Sequence, residues 1–396
     1  MFKNPALRNT FGYYLMFICL GLGLGIVGPT LPSLAAQTGT TIGTIGGIFL
    51  ASSIGYTLGT TIGGWMFDRL ARGHLALGLA QLASASLLFL IPLCPSIWML
   101  ILVNSVIGLS NGIINTGVNT LLMWTHREKA GPFMNGLHFF FGLGAFLAPS
   151  LFALFLNLGA THRETYWTIA AVAIPIALFI LLMPDSPRPV HHHETESAVE
   201  TSLRPYLPIV IISMLYLFFY VGAEVTFGGW IYTYATSLGL ASVTQAAYLT
   251  SGFWLAFTIG RLISIPVATR FRAEQVIAIA LIACLVILGA SLFLPNSLSL
   301  LWIVSSGLGF CMAPVWPSGY TLAGQSIRLT ARLSSIVLLG DSFGGMILPW
   351  LTGQVLELFG AQTMTWLVFI SLALNLLAFF EMLRRRNVLS KAIAPA

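Results

Sequence analysis

Twelve long apolar stretches run through this chain, and its basic residues crowd into alternate connections between them. A helix that crosses a bilayer needs about 20 mostly apolar residues, because hydrocarbon offers no partner to backbone N–H and C=O groups and the helix must satisfy them itself. Stretches of that kind lie at 11–36, 41–67, 74–95, 97–123, 132–158, 163–184, 206–237, 243–270, 273–294, 297–325, 331–359 and 362–383. Apart from Arg163 and Arg261, every Lys and Arg falls on the side that holds both termini. The positive-inside rule therefore puts both termini in the cytoplasm and requires an even number of spans. Hydrophobic residues make up 57% of the chain and charged residues 8%, against about 25% charged in an ordinary soluble domain. The expectation is an all-α, multi-pass protein of the plasma (inner) membrane. Its net charge of +6 is read as a topology signal and a contact with anionic lipid, not as a nucleic-acid surface. The first apolar stretch is too long for a signal-peptide core and contains Pro29 and Pro32, so it reads as an uncleaved span.

Between Pro184 and Pro208 the composition turns polar, with Asp185, further prolines, three glutamates and the triplet His191 to His193. This divides the chain into a first six-helix bundle at 1–184, a cytoplasmic linker at 185–205 and a second bundle at 206–396. Three adjacent histidines on a loop lack fixed ligand geometry, so no metal site is expected there. The halves resemble each other at an offset of roughly 200 residues, the mark of a duplicated unit. Thr61-Ile62-Gly63 recurs as Thr258-Ile259-Gly260, Gly144 and Pro149 as Gly344 and Pro349, Gly159-Ala160 as Gly360-Ala361, and Gly28 as Gly228. Duplicated carriers of this kind bind near the bilayer midplane between the repeats and work by rocking one against the other. Gly55, Gly59 and Gly63, with Gly340 and Gly344, offer small-residue faces either for sliding or for static packing. Cys19, Cys94, Cys284 and Cys311 show no pairing or metal-ligand spacing and read as small buried hydrophobes.

The few polar residues inside the spans carry the functional reading. Asn104, Asn111, Asn115 and Asn119 form one stripe along the fourth span. Uncharged donors and an acceptor on each suit a neutral hydroxylated ligand, and the competing role is helix-to-helix hydrogen bonding. Glu224 lies near the middle of the seventh span, on a face with Tyr216, Tyr220 and Gly228, while its repeat-mate is Leu24. A carboxylate at that depth must pair, protonate or meet water, which points to contact with substrate or a coupling cation. Arg261 and Asp341 lie at matching depth, roughly 13 Å from the cytoplasmic ends of their spans, where a buried pair would brace or gate. His138 sits inside the fifth span as either packing or ligand, and Trp230, Trp254 and Trp316 are candidates to stack on the apolar face of a sugar. Neither a phosphate-cradling Gly-x-x-x-x-Gly-Lys nor a His-Glu-x-x-His occurs, so ATP-driven pumping and metalloprotease chemistry drop out and no enzyme is expected.

Gly64-Trp65-Met66-Phe67-Asp68-Arg69-Leu70-Ala71-Arg72 resembles the loop signature of the major facilitator superfamily, and with twelve spans, linker and repeat the resemblance covers the whole chain. It implies two pseudo-symmetric six-helix bundles, with Asp68, Arg69 and Arg72 latching the outward-open state. Asn115-Thr116-Gly117-Val118-Asn119, Leu137-His138-Phe139, Tyr220-Val221-Gly222-Ala223-Glu224-Val225, Gly229-Trp230 and Gly260-Arg261 are similar to the fucose, galactose and glucose symporter family, above all its sodium-dependent glucose transporter branch. That resemblance implies a monosaccharide carrier without cofactor, driven by Na+ or H+, binding sugar through Asn115, Asn119, His138, Glu224, Trp230, Trp254 and Trp316. Coupling or gating would fall to Glu224, Arg261 and Asp341. Relatives usually carry an acid where this chain has Asn115, so coupling rests on Glu224 or Asp341 or is absent. The expected partners are sugar and membrane lipid, with the protein monomeric. The competing readings are an exporter of an amphipathic drug or lipid, an uncoupled uniporter, and a non-transporting sugar sensor.

Overall fold

The computed structural model of the chain describes residues 4–69, 72–184, 187, 207–294, 297–326 and 331–393. The His191 to His193 triplet and nearly all of the expected linker lie outside the described residues, as do Leu70 and Ala71 of the loop signature. Eleven described segments are long and apolar enough to cross a membrane, and one of them, Ile97–Asn157, runs to 61 residues. It turns at Arg127, which holds a φ of 50°, and so divides into two crossings. The first six helices are α1 (Pro5–Thr38), α2 (Gly47–Arg69), α3 (Gly73–Leu90), α4 (Ile97–His126), α5 (Ala130–Asn157) and α6 (His162–Leu181). The second six are α7 (Leu207–Ser237), α8 (Val243–Arg270), α9 (Ala273–Phe293), α10 in two pieces (Leu298–Met312 and Val315–Ser326), α11 (Ala331–Phe359) and α12 (Thr363–Ile393).

The helix ends repeat along with the helices. Gly39 after α1 and Gly239 after α7 have φ of 63° and 65°, and Gly159 after α5 and Gly360 after α11 have 76° and 90°. Glycine tolerates that left-handed conformation, which closes the last helical turn. Ser96 and Ser297 cap α4 and α10 by accepting from Met99 N–H and Leu300 N–H. Thr41 caps the single turn Ile42–Ile45 that precedes α2, and Ser242 caps α8.

Each half is held by the same pairings, α1 with α5, α2 with α4 and α3 with α6, repeated as α7 with α11, α8 with α10 and α9 with α12. Glycine makes these contacts close. Gly55 and Gly59 press on the Ser105 and Leu109 carbonyls of α4, Gly108 and Gly112 press back on Ser52 and Tyr56, and Gly340 and Gly344 press on Met214 and Phe218 of α7. Of the two roles open to the glycine faces, the structure shows static packing within a half, because backbone lies in the way of any Cβ. All four cysteines are free, with Cys19, Cys94 and Cys284 buried and Cys311 half-buried among apolar neighbours.

The halves meet through α1 with α7, α2 with α11 and α5 with α8. Gly28 and its repeat-mate Gly228 form the crossing of α1 and α7, where a Cβ on Gly28 would meet the Gly229 carbonyl oxygen at 2.7 Å. Toward the side away from the termini, Glu357 accepts from Gly43 N–H at 2.6 Å and Gln354 donates to the Gly43 carbonyl at 2.7 Å. Thr244 donates to Asn157 at 3.2 Å, and deeper in, Ser150 and Ser251 share a bond of 2.8 Å. Below that depth a space lined by His138, Arg261, Phe271 and Arg272 continues between α5, α8 and α10 toward the termini. The structure is therefore closed on one side and open on the side of the termini. Gly28→Ala should destabilise this closed face without unfolding either half. A single cysteine at Ser52 should then react faster with an impermeant thiol reagent added opposite the termini, and an unchanged rate would count against the crossing as a gate.

Candidate functional site

A cavity of ≈ 420 Å³ lies between the halves at mid-depth, within the usual size range for small-molecule sites. Its wall from the first half is uncharged among the described residues, with polar groups set among apolar ones such as Leu20, Leu24, Val27 and Ile107. Asn104, Asn111 and Asn115 of α4 line it with Ser52, Ser53 and Tyr56 of α2, and His138 enters from α5. The wall from the second half carries Glu224 of α7, Trp254 and Arg261 of α8, Trp316 of α10 and Asp341 of α11. A second space of ≈ 680 Å³ shares His138, Arg261 and Trp316 with it and continues between α5, α8 and α10 past Arg272. It forms the route from the central cavity to the open side.

The sequence candidates separate on inspection. Three of the four asparagines reach the cavity, but Asn119 does not line it; its amide turns back onto Asn115, donating to the carbonyl oxygen at 2.8 Å and to Oδ1 at 3.3 Å. Asn119 thus orients Asn115, whose position decides the wall. Trp230 is fully buried away from the cavity and donates to the Pro349 carbonyl at 2.8 Å, packed beneath Phe49. Trp254 and Trp316 do face the space. His138 lies edge-on to Phe17. Asp68 and Arg69 are exposed at the end of α2, with Arg69 over the Trp65 ring at 4.6 Å, and Arg72 precedes α3 without a side-chain cap.

Arg261 and Asp341 share the cavity but form no ion pair, which corrects the brace expected from their equal depth. Arg261 instead lies over the Phe257 ring at 4.7 Å and acts electrostatically on Glu224, while the Tyr220 phenol stands beside that carboxylate. Asp341 receives one bond, from the Trp316 indole N–H to Oδ2 at 3.0 Å, and its Oδ1 is buried without a partner. The Trp316 ring is held flat on Tyr320, centroids 5.4 Å apart at 9°. The geometry depends on the break in α10. Tyr220 and Tyr216 donate to the Met312 and Val315 carbonyls at 2.8 and 2.9 Å, one on either side of that break. Those phenols fasten the second piece of α10, and with it Trp316, against α7.

Tyr56, Ser342 and the gating Glu357 escape a reading of charged and asparagine positions. Tyr56 follows Ser52 by one helical turn on the glycine-rich α2 and stands beside Asn115 and Asp341. That polar i, i+4 pair is the signal available for it.

The chain matches the family model of the Major Facilitator Superfamily over residues 13–337 and 241–395. It is 31% identical over 365 residues to "Sodium-dependent glucose transporter 1" of Xenopus laevis, covering 85% of this chain and 74% of that protein. It is 31% identical over 376 residues to "Sodium-dependent glucose transporter 1A" of Mus musculus, covering 86% and 88%. Among solved structures it superposes on a D-xylose-proton symporter with a TM-score of 0.77 at 14% identity, covering 96% of this chain and 97% of that one. The nucleoside transporter NupG superposes with a TM-score of 0.74 at 16% identity, covering 96% and 99%. An all-helical fold, duplicated halves and a central cavity open to one side define an alternating-access membrane transporter. The chain belongs to the major facilitator superfamily and is a multi-pass transport protein rather than an enzyme.

The charge arrangement generates a stability test. Arg261→Met should leave Glu224 uncompensated and lower the melting temperature, and adding Glu224→Gln should recover part of the loss, with a coupling energy of about 1–3 kcal/mol. Adding Asp341→Asn should recover less. Equal recovery by both would mean that Arg261 serves the two acids alike.

Proposed function

We propose that the protein carries a monosaccharide, a hexose such as glucose, fucose or galactose, into the cell together with a monovalent cation. The observation that carries this reading is the makeup of the central cavity: amide, hydroxyl and imidazole groups on one wall, and a carboxylate with two indoles on the other. A sugar offers hydroxyls that both donate and accept, and each asparagine can answer both needs. Its C–H faces can lie against Trp254 and Trp316, whose rings line the space. Glu224 can accept from a pair of hydroxyls, a strong contact because one partner is charged.

The relatives named above lend the substrate class, since two of them carry "sodium-dependent glucose transporter" in their names. The basic excess on the open side supports, by the positive-inside rule, a cytoplasmic position for that side, and the membrane proposed is the plasma (inner) membrane. The domain reading follows the pairings: a bundle at 1–184 and a bundle at 206–396 joined by the polar segment. What favours a sugar over an amphipathic drug or lipid is the set of amides from Asn104, Asn111 and Asn115 within the lining, donors and acceptors that an apolar cargo would leave unpaired.

The test is uptake of radiolabelled glucose, fucose and galactose into proteoliposomes, with sodium and proton gradients imposed separately. Accumulation of at least one hexose under at least one gradient is expected. Asn115→Ala should weaken sugar affinity by about tenfold, the worth of a lost hydrogen bond of ~1.4 kcal/mol. Unchanged affinity would return the asparagine stripe to helix packing, and no hexose uptake under either gradient would overturn the reading.

A further inference from the structure

We infer that Asp341 is the carboxylate that binds the coupling cation, in a site closed by Tyr56 and Asn115 of the opposite half, and that Glu224 belongs to the sugar wall. This rests on the cation-coupled reading above and divides its labour between two acids.

The argument begins with charge. Among the described residues three charged side chains line the central cavity, Glu224, Arg261 and Asp341, which leaves one negative charge in excess. Carboxylates are costly at mid-membrane depth unless something compensates them. Glu224 is compensated by the charge of the Arg261 guanidinium acting on it. Asp341 has the single indole bond from Trp316, and the nearest charge acting on it is Glu224, which repels. Its Oδ1 is shut off from solvent and meets no donor. The excess negative charge is therefore least compensated at Asp341, where a cation would be stabilised most.

The surroundings supply oxygen rather than nitrogen. Tyr56 and Asn115 stand opposite, linked to each other, and Ser342 lines the same space. The Met312 and Val315 carbonyls flanking the α10 break already accept from Tyr220 and Tyr216. The other titratable groups facing the cavity are His138 of α5, Tyr166 of α6 and Tyr56 of α2. The shared chemistry is that of a small monovalent cation, Na+ or H+.

Position links the site to motion. One helical turn beyond Asp341, Gly345 accepts from Ser53 of α2 at 3.5 Å. Asp341 thus sits where α2 and α11 begin to separate toward the open side. Closing that side over a loaded cavity would remove the remaining water around the carboxylate. A bound cation offsets that loss and gives the Tyr56 and Asn115 oxygens something to close upon. In the loaded carrier, closure would require the cation.

The experiment compares wild type, D341N, D341E and E224Q in proteoliposomes with radiolabelled glucose under a sodium gradient and, separately, a proton gradient. D341N is expected to lose concentrative uptake while retaining measurable glucose counterflow, and D341E to recover part of the gradient response. E224Q is expected to weaken glucose affinity by about tenfold yet still concentrate sugar at saturating supply. Whichever gradient D341N fails to use identifies the ion. Concentrative uptake by D341N, or its loss in E224Q with affinity intact, overturns the assignment. Binding of isotopic sodium, or proton uptake on acidification, is also measured on purified protein without sugar. A signal lost in D341N and kept in E224Q supports the cation site even if hexoses prove not to be the cargo, and equal signals in wild type and D341N overturn it.

Discussion

Hydrocarbon cannot hydrogen-bond, and nearly every feature of this molecule follows from that refusal. Backbone groups are forced into helices, and any carbonyl freed by a break must find a donor inside the protein. Pro349 supplies no N–H to Gly345, and the Ser53 hydroxyl reaches that carbonyl from the other half. Its counterpart Pro149 interrupts α5 in the same way, and close by, the Phe146 carbonyl receives Ser251 from α8 at 2.9 Å. The Gly345 carbonyl freed by Pro349 and the Phe146 carbonyl near Pro149 are thus acceptors where the halves touch. The contacts made there are single hydroxyl bonds, each worth about 1 kcal/mol. Weak, replaceable bonds suit an interface that must open.

The architecture was legible because it is written in quantities that lipid enforces. Span length and basic flanks indicated the number of crossings, and Gly159-Ala160 with Gly360-Ala361 indicated the duplication that the paired left-handed caps display. Asn104, Asn111 and Asn115 were legible as one wall for the same reason: helical spacing determines which residues share a face. What could not be read was everything that depends on a neighbouring helix. Nothing in the α7 sequence says that Trp230 turns to Pro349 rather than inward. Equal depth suggested Arg261 with Asp341, but depth is one coordinate of three: among the described residues Arg261 forms an ion pair with neither acid, and its charge acts on Glu224. The α10 break carried a local signal, Pro314 and Pro317, whose consequence depends on Tyr216 and Tyr220 lying alongside.

The two halves share a scaffold but not a chemistry. Leu24 occupies the repeat position of Glu224, and both line the cavity. Among the described residues the charged groups of the cavity belong to α7, α8 and α11, whereas α1, α2 and α4 present apolar, hydroxyl and amide groups. The asymmetry matters for rocking. If each half carried a charge that paired across the cavity, every cycle would break an ion pair in a low dielectric, at a cost of several kcal/mol. With the charges confined to one half, what must be exchanged across the moving boundary is a set of neutral hydrogen bonds.

That division also bears on how a ligand can drive the movement. A ligand shifts a two-state equilibrium only by binding the states differently. A sugar held by Glu224, Trp254 and Trp316 alone would ride on the second half and favour neither state. It gains differential contact when the first half closes and Asn115 reaches it, and Asn119 and Tyr56 on either side hold that amide in place. Asn115 stands beside the sugar space and the neighbourhood of Asp341 alike. One amide touching both is the shortest physical link by which occupancy of a cation site can alter the affinity of a sugar site, and substituting an asparagine for an acid there keeps the link while removing its charge.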